Sequence, residues 1–443
     1  MSSALAVRIA AEHAAASASL PAQVVSTERR RDAIETLVSE GLPSSRDENW
    51  KYANLRPLEK VRFVALAGGT QGGNAALTSA DLPAPIGGYA RYTFVDGVFA
   101  AALSAPLAKA GITVTSLRTL PDPLHFAPST SKDSRFALLN DAFATDSASI
   151  RVSTGTDWSM GPAGGPTCIE LVFVATVEAQ AGSSYPRVEV QVEQFARLGL
   201  IERHVSLGTG ANFVNASVQV DIARDATVNH YRVQESGAKA TWLDTLSAVL
   251  AQGATYKLHA VNAGGLSSRS TINVLLAGQH ASASISVASL GDRQQTQDVF
   301  VRVEHSAPHA RSEQTFRGIS AGRARVAFNG MVVVREGAHG TDSQQSLRGL
   351  LAGPEAEIDV RPQLQIDTDD VRCAHGATAG KLDDDMLFYL LSRGIDPETA
   401  QRLLKWAFLE DVVARIEVPE LRRQIERSLA GQMHEADALK ELL

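Results

Sequence analysis

Two cysteines, Cys168 and Cys373, are all that 443 residues contain, so at most one disulfide can form and no disulfide framework holds the fold together. A reducing compartment is expected. Long apolar runs are missing too. Stretches such as Val332-Val333-Val334 are strand-sized, far short of the roughly 18 residues a membrane span needs, so no membrane partner is expected. Basic residues are in deficit, 42 Lys and Arg against 49 Asp and Glu for a net charge of -7. That removes the broad positive field a nucleic-acid partner requires. The Ala-rich start carries Glu12 and no continuous apolar stretch, so no secretory signal is read there and a cytoplasmic protein is expected.

Signatures of common chemistry are absent as well. GATAGKL (376–382) has three residues between its glycines instead of four, and Leu382 stands where Ser or Thr would bind magnesium, so it is no Walker A loop. Leu207-Gly208-Thr209-Gly210 lacks the third glycine and the βαβ context of a dinucleotide site. Neither a G-x-S-x-G elbow nor an H-E-x-x-H helix occurs. Nucleotide hydrolysis by this chain is not expected.

What is present is an ordinary globular composition, 44% hydrophobic and 21% charged, organised in three stretches. Residues 1–88 read as an N-terminal helical region and linker. One helix runs from Ala4 to about Ser17, and a second is capped by Ser26, carries Ile34, Leu37 and Val38 on one stripe, and stops at Gly41-Leu42-Pro43. The polar and aromatic segment SRDENWKYANLRPL (45–58) and a Gly, Ala and Ser-rich loop at 67–84 follow.

From 89 to 378 helical periodicity all but vanishes. Period-2 segments take its place, among them Val214-Ala216-Val218-Val220-Ile222, Ile272-Val274-Leu276 and Val299-Val301-Val303, each a strand. Turns recur near Gly253, Gly264-Gly265, Gly278 and Gly291-Asp292. So many short strands without a linker favour a mainly β protein whose core is a right-handed parallel β-helix, with two packed sandwiches as the alternative. Helical caps at both ends would cover the open rungs.

Residues 379–443 form a C-terminal helical domain. Asp383 caps a helix with Met386, Leu387, Leu390 and Leu391; Asp396-Pro397-Glu398 opens a second with Ala400, Leu403, Leu404, Ala407, Phe408, Val412, Val413 and Ile416; Pro419 opens a third through Leu421, Ile425 and Leu429. Trp406 and Lys405 lie off the second helix's apolar stripe, where they would reach a partner. The competing reading makes the whole bundle a cap.

The most suggestive chemistry is Cys373-Ala374-His375. In an extended chain Cys373 and His375 project from one face, half of a soft-metal site that needs further ligands from another chain or from solvent. A buried cysteine beside a hydrogen-bonded histidine is the alternative. His230, His259, His280, His305 and His309 recur at intervals that would place some of them on related rungs, although lone strand histidines are commonly structural. Cys168 opens an apolar strand and reads as core.

DVRCAHGATAGKLDDDMLFYLLSRGI (370–395) closely resembles the C-terminal signature of the SufD branch of the SufB/SufD family, the scaffolds of the SUF iron-sulfur cluster assembly system. SRDENWKYANL, the segment from His305 to Arg317 with the GRARVAFNGMVVV after it, and 342–351 before the P-x-L-x-I run agree in the same order. The resemblance implies a right-handed parallel β-helix between helical regions. It implies a non-catalytic scaffold subunit that acts with SufB and the SufC ATPase in building or transferring nascent clusters. SufB would pair through the β-helix, and a SufC subunit would dock on the C-terminal helices, for which Leu403, Trp406 and Phe408 are the candidates. His375, with Cys373 beside it, would face the SufB joint and help hold a transient iron-sulfur cluster that this chain alone does not bind permanently. A homodimer in isolation stays open. The rival function is a β-helix enzyme acting on acidic polysaccharides.

Overall fold

The computed structural model describes residues 3–65, 77–106, 111–121, 132–146, 148–157, 168–176, 182–208 and 210–433. Strands alternate between two sheets that face each other across a filled lumen. The first sheet runs from Val98–Phe99 and Tyr89–Val95 through Cys168–Thr176 to Arg372–Gly380, and the second from Ile112–Ser116 to Glu357–Ile366. Pairing along each is parallel from coil to coil. Ser282, for example, lies beside Arg311 and Arg311 beside Asp342. Antiparallel pairing is confined to the first coils. The fold is therefore the expected parallel β-solenoid, since packed sandwiches are antiparallel.

Alternation explains the lumen. Val218, Val220, Leu246, Ala248, Ile272, Val274, Val299 and Val301 face inward and form one continuous core. One corner stacks seven left-handed residues on successive coils: Phe195, Asp225, Gly253, His280, His309, Gly340 and Asp370, with φ between 56° and 68°. Their amides bind the next corner's carbonyls, as from His280 to Pro308 and from His309 to His339. Asp and His tolerate this conformation better than most side chains and fill four of the seven places; two are glycine, and Phe195 has no such ease.

Among the described residues six helices flank the solenoid: α1 (Ser3–Ala16), α2 (Thr27–Glu40), α3 (Arg135–Phe143), α4 (Asp384–Ser392), α5 (Pro397–Val413) and α6 (Pro419–Gln432). The Ser26 hydroxyl accepts from the Arg29 amide and caps α2. Leu37 is fully buried, but Val38 is 48% exposed and lies off the packed face. Helix α3 was not anticipated, because short, apolar and buried almost all round it shows no helical stripe. It joins the N-terminal helices to the solenoid through Arg29 to Asp141 (2.9 Å), and through Asn140, which donates to the Pro186 and Asn215 carbonyls.

The segment 47–54 crosses the outer face of the second sheet as a strap. Trp50 lies 4.2 Å over the guanidinium of Arg269, which pairs with buried Asp298; Asn49 meets Asn329, and Glu48 binds Arg361 on the last coil. Of the expected 67–84 loop, residues 67–76 lie outside the described residues, and Ser79–Asp81 forms one helical turn.

The C-terminal helices do not cap the final coil. Leu409, Val412, Val413, Leu421, Ile425 and Leu429 pack against Ile201, Tyr231, Val233, Val261, Leu290 and Ile319 on the outer face of the first sheet. That outer face is apolar, so it is the surface that demands cover.

Candidate functional site

The last coil is open. Arg372–Gly380 and Glu357–Ile366 are the terminal strands of their sheets, each paired on one side only. Cys373 lies beside Ser343 and His375 beside Gln345; one coil further in stand Ser312 and Gln314. Leu347 and Phe316, of the same alternation parity, belong to the lumen core. Cys373 and His375 therefore share one face, as the period-2 reading requires, and it is the lumen face at a rung that no further coil covers among the described residues. Cys373 is half-buried against Val332, Val334 and Ala338, and His375 is exposed.

Behind Cys373 a polar column leads inward. Ser343 and Ser312 share a hydrogen bond of 2.9 Å, and the Ser312 hydroxyl meets Nε2 of His305 at 2.9 Å. Behind His375 the amide of Gln345 donates to Oε1 of Gln314 and to the Gly330 carbonyl. Burial, and then the Asp342 carboxylate, pushes the Cys373 thiol up from its ordinary value. The thiol is held protonated at neutral pH and must release a proton on ligating a metal. Among the described residues no three His, Cys, Asp or Glu side chains could hold a metal ion together. The pair supplies two ligands, and a cluster as cargo needs the rest from elsewhere.

Other sequence candidates separate. Cys168 is buried core, so close to Gly199 that a Cβ there would lie 2.8 Å from its sulfur. His230 joins an ionic cluster in the lumen, and His259 stacks on Tyr231 beneath the C-terminal helices. His280 and His309 do share a corner on adjacent coils, their rings stacked at 5.3 Å, and His339 meets His309 edge-on; all three are exposed.

On α5, Trp406 and Phe408 are half-buried against the cluster that joins the helices to the sheet, and Leu403 is half-buried. Ala407 is exposed and Leu409 is buried in its stead. Exposed large apolar side chains cluster on α4: Met386 at 59%, Phe388 at 72% and Tyr389 at 56%, the last with Arg393 over its ring. Sequence reasoning missed Phe388 and Tyr389. The signal was there in a helix with more apolar residues than one packed face can hide.

Coils that end in an unpaired rung bearing a thiol and an imidazole define a β-solenoid platform that presents its chemistry at one end. The chain belongs to the SufBD family: residues 173–408, more than half of it, match the profile described as SUF system FeS cluster assembly, SufBD core domain. It is 28% identical over 88% of its length to the iron-sulfur cluster assembly protein SufD of Escherichia coli, covering 89% of that protein. It is 27% identical over 91% of its length to an iron-sulfur cluster assembly SufBD family protein of Synechocystis, covering 90% of it. Protein ABCI7, chloroplastic, of Arabidopsis thaliana is 30% identical across 56% of this chain and 53% of its own. The chain's role is thus in iron-sulfur cluster assembly. No helix among the described residues is long and apolar enough to cross a membrane.

Proposed function

We propose that this chain is a non-catalytic scaffold subunit whose open rung pairs edge to edge with a SufB homologue, holding a transient cluster at the joint. One observation carries the reading: Cys373 and His375 face the lumen on the one strand of their sheet that ends the coil. The Arg372 amide donates inward to the Thr341 carbonyl. In a parallel strand the amides of Cys373, His375 and Ala377 then point to the open edge, where another strand would bind them. The thiol and imidazole would supply part of the cluster's ligands and the partner the remainder. Helix α4, with Met386, Phe388 and Tyr389 uncovered, is the surface offered to a SufC ATPase, a role better suited to it than to half-buried Trp406. In this reading the chain works in the cytoplasm and binds no cluster permanently on its own. The family assignment lends no support to the acidic-polysaccharide enzyme.

The test is co-expression with SufB and SufC homologues and measurement of complex formation by Ala377→Pro. Proline removes one outward amide and none of the inward ones, so the chain folds while pairing with the SufB homologue is lost. Undiminished pairing overturns the edge-to-edge reading.

A further inference from the structure

In a chain of net charge -7, one cleft is strongly basic. It measures about 1010 Å³ and lies between the segment 51–62 and the starts of the second sheet's strands. Its lining includes Lys51, Arg56, Lys60, Arg62, Lys239 and Arg325, against the single carboxylate of Glu59. Arg325 is committed to Glu357 and Asp359. Lys51, Arg56, Lys60, Arg62 and Lys239 are exposed and enter no salt bridge among the described residues. The backbone that carries the first four is fixed: Leu58 and Phe63 are fully buried, Arg8 donates to the Leu58 carbonyl, and the Tyr185 hydroxyl donates to the Phe63 carbonyl at 2.6 Å; Lys239 sits on a turn closed by the Ala240 amide to the Gly237 carbonyl. Five like charges on a rigid wall repel one another, and a cleft concentrates their field.

The cleft is elongated. Along its floor Phe213, Thr241, Leu266, Thr296 and Arg325 stand on successive coils, with Phe213 and Thr241, and Thr296 and Arg325, directly in register. At about 4.8 Å per coil they span roughly 19 Å, the reach of about six extended residues. The ring of Tyr52 is already flanked by Lys51 and Arg325, so no free aromatic face awaits a nucleobase. We propose that this cleft docks an extended acidic segment of a partner polypeptide, its carboxylates set against Lys51, Arg56, Lys60, Arg62 and Lys239.

The probe is fluorescent hexaglutamate titrated into the full chain. Saturable binding that weakens as salt rises is expected. Lys60→Glu with Arg62→Glu should weaken it about tenfold, and Arg56→Glu with Lys239→Glu similarly, with unchanged thermal melts because none of the four has a partner to lose. The exposed control Arg427→Glu should leave it intact. Absence of saturable binding, equal loss in the control, or indifference to both double reversals overturns the proposal. So does tripolyphosphate that binds the cleft more tightly than the peptide, which would mark a small-anion site instead.

Discussion

Inside the lumen the imidazole of His230 meets the carboxylate of Glu202, Nε2 to Oε2 at 3.1 Å, with both side chains fully buried. His204 lies 2.5 Å from the other oxygen, and Arg232 bridges Glu202 to Asp244 at 3.0 and 2.7 Å. Burial alone would raise the Glu202 carboxyl. Arg232 and the two imidazoles outweigh it and hold that carboxyl well below the usual carboxylate range. Arg232→Met leaves two carboxylates without their cation, and a loss of about 3–5 kcal/mol is expected in denaturant unfolding. A loss below about 1 kcal/mol would show that the cluster is not held by Arg232.

Two other buried histidines make the fold acid-sensitive. Burial pushes His305 and His259 down to about 4. An unfolded imidazole protonates near 6.5, so the unfolded chain takes up protons that the folded chain refuses. Their contribution is complete above pH 6.5 and is lost as pH falls from there towards 4. Each should cost about 2 kcal/mol between pH 7 and pH 5. His305→Gln removes one increment, so the stability of that variant should fall less over this interval. An undiminished fall would contradict the assignment to His305.

Trp50 and Arg269 hold the N-terminal strap across the coils. Trp50→Ala should destabilise the protein by about 3–5 kcal/mol and expose residues 47–54 to protease. Wild-type resistance to cleavage there would show the strap to be held by its other contacts.

Helices α4 and α5 should separate under mutation. Phe388→Asp on exposed α4 should leave the melt within about 0.5 kcal/mol of wild type, whereas Trp406→Ala, at the helix–sheet contact, should lower it. If α4 is the docking surface, titration with a SufC homologue shows loss with Phe388→Asp. The reverse pattern would return the docking role to α5.

Much of this was legible in residue spacing. Alternation at Val214 to Ile222 marks a strand, and the same period of two puts Cys373 and His375 on one face. Caps at Ser26, Asp383 and Asp396 each accept amide hydrogen bonds as expected. What spacing cannot convey is the partner of a buried face. The stripe of α5 says that it packs, and only the folded chain shows that it packs on the apolar outer positions Tyr231, Val233 and Val261. Corners built on Asp225 and His309 carry no glycine to announce them, and the Trp50 to Arg269 contact joins residues distant in sequence.

The most direct test of the central claim is the iron and acid-labile sulfide content of the complex reconstituted with SufB and SufC homologues, comparing wild type with His375→Ala. His375 is exposed at the open rung, so the variant should fold and assemble normally. The account predicts an intact complex with its cluster content sharply reduced. Wild-type cluster content in that complex would contradict it.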